Sequence, residues 1–193
     1  MGNEIAETKM RLADPAALGI FGLAMATLVA SSEKLGLTEG TAGLLPWVIF
    51  LGAFAQIAAC SIEFKRDNIF AATAFGAFGL FWFAIGMTWY YGYNIEQLGF
   101  AVIGYLIFSI YMSYAAAAIN KAFLAIFLTI DLLFMALLFQ IFAGGPSLLS
   151  GIMELGVAVT GFYASAAIML KNIAGFEVLP MGKPMLKLKK FEV

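Results

Sequence analysis

Six apolar stretches, each close to the length that crosses a bilayer, take up most of this chain and leave little between them. They run roughly 15–31, 43–62, 70–91, 98–119, 122–143 and 148–170. About 20 predominantly apolar helical residues span the hydrocarbon core. The connectors "SSEKLGLTEGT", "EFKRDN", "YGYNIEQ", "INKA" and "GGPS" are too short for anything but antiparallel neighbours, and they leave no room for a second soluble domain. The expected fold is an all-α integral membrane protein with six transmembrane helices. Its parts are an N-terminal segment (1–13), a six-helix domain (14–170) and a C-terminal tail (171–193), surface-bound or mobile. Composition agrees: 63% of residues are hydrophobic and 12% charged, with mean hydropathy +0.94. Soluble domains hold about 45–50% apolar and about 25% charged residues. Lipid must therefore cover part of the surface.

Basic residues set the orientation. With the N-terminus in the cytoplasm, the inner segments hold Lys9, Arg11, Lys65, Arg66, Lys121, Lys171, Lys183, Lys187, Lys189 and Lys190. These are all but one of the 11 Lys and Arg residues; only Lys34 falls outside. Such a bias predicts both termini inside. Trp47, Trp89, Tyr90, Tyr91 and Tyr93 lie near the outer ends, where an interfacial belt belongs. The polar start "MGNEIAETKMRLADP" lacks the features of a cleaved signal peptide.

Other function classes are disfavoured. A net charge of −1 gives nucleic acid no clustered cations to bind. Cys60 stands alone and histidine is absent, so no disulfide, zinc cluster or histidine base is available. No metal or cofactor is expected, and an intramembrane enzyme is a weak candidate.

Polar residues inside the spans are the functional candidates, because groups at depth face protein or a water-filled cavity. They are Thr27, Gln56, Thr73, Thr129, Asp131, Gln140, Glu154 and Thr160. No lysine or arginine is expected at depth beside Asp131 or Glu154, so desolvation favours their neutral acids. Asp131 is either a hydrogen-bonded helix contact or a proton carrier lining a pathway. Gln56 is helix–helix glue or a substrate ligand. Glu63, Lys65, Arg66 and Asp67 read as a solvated inner turn. The many Gly and Ala residues suit close helix packing. Asp14 is a good N-cap and Pro15 suits a first helical turn.

The segment "ADPAALGIFGLAMAT" resembles the "NPAPLGL" signature of the acetate/succinate uptake transporters, the YaaH/SatP-like family. The signature falls on Asp14, Pro15, Ala16, Leu18 and Gly19. "GAFAQIAACSIEFKRDNIFAATAFGAFGLFW", "FAGG" and "VLPMG" agree in order and spacing, and the resemblance covers Asp14 to Gly182. It implies transport of acetate, and of succinate, by proton-coupled uptake or channel-like anion flow. It also implies a homo-hexameric ring in the lipid bilayer of the cell membrane, with one pathway per subunit. The implied pathway is a continuous passage narrowing at Leu23, Phe78 and Ile130, with Gly161 bordering it. Departures are Asp14 for asparagine, Ala17 for the second proline, Leu23 for an aromatic and Phe78 for tyrosine.

If Ile130 faces the passage, Asp131, about 100° further round the helix, faces a neighbouring helix. Thr27, Thr73 or Gln56 is its expected partner there. Rival readings are a channel for another small solute such as formate, and a membrane sensor without transport.

Overall fold

The computed structural model describes residues 12–92 and 94–188. Each apolar stretch is a helix: α1 (Ala16–Lys34), α2 (Ala42–Lys65), α3 (Ile69–Tyr91), α4 (Ile95–Ala117), α5 (Lys121–Ala143) and α6 (Ser147–Ala174). There is no strand among the described residues. All six are long and apolar enough to cross a membrane, and the chain forms a multi-pass membrane protein. Lys9, Arg11, Tyr93, Lys189 and Lys190 lie outside the described residues.

The helix starts follow local chemistry. Asn68, Asn94 and Asn120 cap α3, α4 and α5, each side chain accepting a backbone N–H three residues on. An Asn oxygen at this position satisfies one of the donors that a helix start leaves open. The α2–α3 turn is so tight that Asp67 adopts φ 56°, a left-handed conformation that aspartate tolerates better than most residues. At the far ends, Gly144 and Gly175 take the left-handed positions that close α5 and α6, where glycine carries no Cβ penalty.

The helices pack as two groups of three. α1 lies against α2 and α3, α5 packs between α4 and α6, and the α1–α6 contact is the most extensive. Small residues make these approaches possible. A Cβ on Gly22 of α1 would collide with the Leu51 backbone carbonyl of α2, and one on Gly161 of α6 would sit 3.0 Å from the Ala24 Cβ of α1. The middle of α2, Val48–Ala55, is wound as a π-helix, and the Gln56 side-chain amide donates to the Gly52 carbonyl at 2.6 Å.

One end of the bundle carries the start of α1, the α2–α3 and α4–α5 turns, and the end of α6. The tail folds back over this end and is pinned there. The Ala122 N–H donates to the Met181 carbonyl, and the Met185 and Leu186 N–H groups donate to the Ala117 carbonyl. The Tyr163 hydroxyl donates to the Pro180 carbonyl. Over its described part the tail is thus fixed to the surface by backbone pairing.

Candidate functional site: a one-ended vestibule

A cavity of about 700 Å³ opens at the end of the bundle that carries the tail. Its walls are helical stripes. Ala16, Ile20 and Leu23 come from α1, Ala71, Ala74, Phe75 and Phe78 from α3, and Phe123, Ile126, Phe127 and Ile130 from α5. Each set repeats at intervals of three and four residues, the signature of one helix face. Gln56 and Glu63 from α2 are seven residues apart on another such face, and Lys171 and Asn172 come from α6. The mouth is polar, with Asp14, Asn68, Asn120 and Glu177; the depth is apolar.

The cavity stops at one layer. Its lining contains no residue of α1 beyond Leu23, of α3 beyond Phe78 or of α5 beyond Ile130. These three side chains are buried and close the inner end with Gln56 beside them. The continuous passage expected from the sequence is therefore not present in this conformation. Phe78 is held by rings on two other helices, with centroids 5.4 Å from Phe108, 6.0 Å from Phe127 and 6.4 Å from Phe134. Behind it Phe81, Trp82 and Phe134 continue the packing. Aromatic side chains bury large areas at low conformational cost and pack edge to face. From Ala16 to Leu23 the helix rises about 10 Å, and from Asn68 to Phe78 or Asn120 to Ile130 about 15 Å, a third to a half of a core roughly 30 Å thick.

A profile of the GPR1/FUN34/yaaH family matches residues 3–183. The chain belongs to this family. It is 27% identical over 184 residues to the succinate-acetate/proton symporter SatP of Escherichia coli (strain K12), covering 90% of this chain and 97% of that protein. It is 30% identical over 146 residues to acetate permease A of Emericella nidulans, covering 66% of this chain and 49% of the permease. The solved structure of the bacterial acetate channel SatP superposes with a TM-score of 0.84 at 27% identity, over 89% of this chain and all of that one.

In this GPR1/FUN34/yaaH protein the signature residues open α1. The Asp14 Oδ1 accepts the Ala16 N–H at 3.0 Å and pairs with the Arg66 Nη1 at 3.1 Å. Pro15 already has helical dihedrals. Ala16 lines the vestibule, Gly19 lets α1 approach Phe75, and Leu18 points outward, half exposed. Gly161 is buried in the α1–α6 contact and is not among the vestibule-lining residues.

Asp131 is 7% exposed and off the vestibule, between α5 and α4. Its expected partners need correction. The Ser113 hydroxyl of α4 donates to the Asp131 Oδ2 at 2.6 Å, whereas Thr27 donates to the Leu23 and Ala24 carbonyls of its own helix. Thr73 is half-buried on α3, and Gln56 bonds within α2. The geometric reason is position: α1 and α2 pack in the other group of three, while α4 lies directly along α5.

Two further expectations are overturned. Glu154 has a cation beside it: the Lys34 Nζ reaches its Oε2 at 2.9 Å, with the Lys34 side chain 15% exposed and that of Glu154 4%. Lys34 ends α1 at the end of the bundle opposite the vestibule, and its long aliphatic stem lets the ammonium reach a helix it does not neighbour in sequence. Glu63, read as part of a solvated turn, is 1% exposed. Its Oε2 accepts the Asn68 side-chain amide at 3.0 Å and lies 3.9 Å from the Arg66 Nε, while its Oε1 has no partner. Sequence reasoning missed Glu63, although its place two turns beyond Gln56 on one face of α2 was the available signal. The remaining polar residues at depth also bridge helices. Thr129 meets Thr160 at 3.3 Å, and the Ser150 hydroxyl donates to Gln140 at 2.7 Å, both between α5 and α6.

Proposed function

We propose that this protein carries acetate and similar small carboxylates, succinate among them, across a cell membrane. Its vestibule faces the cytoplasm and both termini lie inside. One observation carries the reading: a polar-mouthed vestibule reaches part of the way through the bundle and ends on three apolar side chains, Leu23, Phe78 and Ile130. The symporter, permease and channel relatives are named for the same cargo. They support a transporter rather than an enzyme. Assembly as a homo-hexamer with one pathway per subunit is proposed from the sequence resemblance alone.

The physical steps follow from the two zones. About 700 Å³ holds roughly 20 waters' worth of liquid, so a carboxylate remains hydrated in the vestibule. The N-terminal ends of α1, α3 and α5 surround it, and helix starts favour anions. The Asp14–Arg66 pair offsets the charge that aspartate brings to the signature. Beyond Gln56 the path is dry. An unpaired ion there is heavily penalised, so the layer favours the neutral acid, whose methyl group suits apolar walls. Passage requires Leu23, Phe78 and Ile130 to part.

The test is flux of labelled acetate into liposomes containing the purified protein, first under an imposed pH gradient and then under an imposed voltage. Proton-coupled uptake follows the gradient, and anion conduction follows the voltage. Competition by formate, succinate, lactate and urea ranks the cargo. Flux no greater than that of protein-free liposomes would refute transport and leave the sensor reading.

A further inference from the structure

We propose that Glu63 is the proton-exchanging group of the vestibule, accepting the proton of an arriving carboxylic acid at its unpartnered Oε1 and passing it to vestibule water. This rests on the carboxylate-transport reading above. Two observations carry it: Glu63 lines the cavity wall, and it is buried with Oε1 lacking any hydrogen-bond partner. A buried oxygen without a partner is costly unless it serves a purpose.

Elimination among the charged groups points the same way. Among the described residues four of them line the vestibule: Asp14, Glu63, Lys171 and Glu177. Asp14 is committed to the Ala16 N–H and to Arg66. Glu177 is exposed, and its Oε1 accepts the Met181 N–H. Lys171 is exposed and cationic. Asp131 and Glu154, the carboxylates that stand out in the sequence, do not touch the cavity. Among these four, Glu63 combines burial, a place in the cavity wall and an unused oxygen.

Its surroundings suit a group that is charged for part of a cycle. Asn68, at the start of α3, donates to Oε2, and the Arg66 guanidinium lies beside it. Both stabilise the carboxylate. Asp14 also faces this cluster through Arg66 and opposes that stabilisation. Glu63 sits seven residues from Gln56 along α2, about 10 Å from the closed layer, so an acid leaving that layer meets it inside the vestibule.

The step balances. The O–H bond of the arriving acid breaks and an O–H bond forms on the Glu63 Oε1. The substrate leaves as its anion, and Glu63 then yields the proton to water. The proton passes from one carboxyl oxygen to another, and the water that fills the vestibule then carries it away. One proton accompanies each carboxylate.

The test compares Glu63→Gln and Glu63→Asp with the parent in liposomes, after subtracting the protein-free background. Two quantities are read: acetate/acetate exchange at equal pH, and accumulation driven by a pH gradient. Glu63→Gln keeps the Asn68 bond and the side-chain volume. Accumulation is expected to fall at least about tenfold in Glu63→Gln, more steeply than exchange, and Glu63→Asp recovers most of it. Unchanged accumulation in Glu63→Gln overturns the proposal, as does parallel loss of exchange and accumulation in both variants. If Glu63→Gln does not fold, infrared difference spectra decide. Acetate should elicit a protonated-carboxyl band in the parent that shifts in Glu63→Asp, and no such band would overturn the assignment. A parent without flux above background fails the transport reading itself and takes this one with it.

Discussion

Replacing Lys34 by Met should strand Glu154. The pair spans 2.9 Å between the end of α1 and the second turn of α6, and the Glu154 side chain is 4% exposed. At an effective dielectric of about 20, two unit charges at that distance attract by roughly 6 kcal/mol, most of which offsets the desolvation of both. Removing one partner of a buried pair costs about 3–5 kcal/mol. The stranded carboxylate has one escape, which is to bind a proton. For a carboxyl of ordinary affinity that costs about 4 kcal/mol at pH 7 and about 1.4 less for each unit by which the pH falls. The folded variant then holds one proton more than its unfolded state, so its stability falls as pH rises. Lys34→Met is expected to lose about 3–4 kcal/mol at pH 7 and to recover toward the parent by pH 5. The double variant Lys34→Met/Glu154→Leu, with no charge left to strand, should come within about 1 kcal/mol of the parent at both values. The assay is reversible denaturant unfolding in mixed micelles at pH 7 and pH 5. A single variant as stable as the parent at pH 7, or a deficit unaltered by pH, would refute the reasoning.

Four further outcomes are expected. Ser113→Ala removes the hydrogen bond to buried Asp131 and should cost about 1–3 kcal/mol in the same unfolding assay. Asp131→Asn, which retains an acceptor for Ser113 and lies off the vestibule, should leave acetate uptake and its pH response unchanged. Gly22→Ala forces a Cβ onto the Leu51 carbonyl, a backbone atom that cannot rotate away, and should lower stability by about 1–3 kcal/mol. Ile130→Ala opens the closed layer, and competition assays should show larger carboxylates such as lactate gaining on acetate.

The sequence by itself determined the six helices, their antiparallel order and the family, because each rests on local or ordered information. Twenty apolar residues bounded by Asn, Pro or Gly form a spanning helix whatever they pack against, and the signature lies in one contiguous run. Leu23, Phe78 and Ile130 were also legible as a set, though only through resemblance; nothing in their spacing brings three separate helices to one layer. The tertiary structure decided which polar residues meet. Lys34 finds Glu154 across 120 positions, Ser113 rather than Thr27 holds Asp131, and Glu63 is drawn from an apparent loop into a cavity wall. Hydropathy averages over a window and carries no azimuth. Whether a carboxylate faces a partner, a cavity or nothing depends on how each helix is rotated against neighbours far away in the chain. That rotation is set by glycine contacts such as Gly22 on Leu51 and Gly161 on Ala24, and it was fixed only when all six helices packed together.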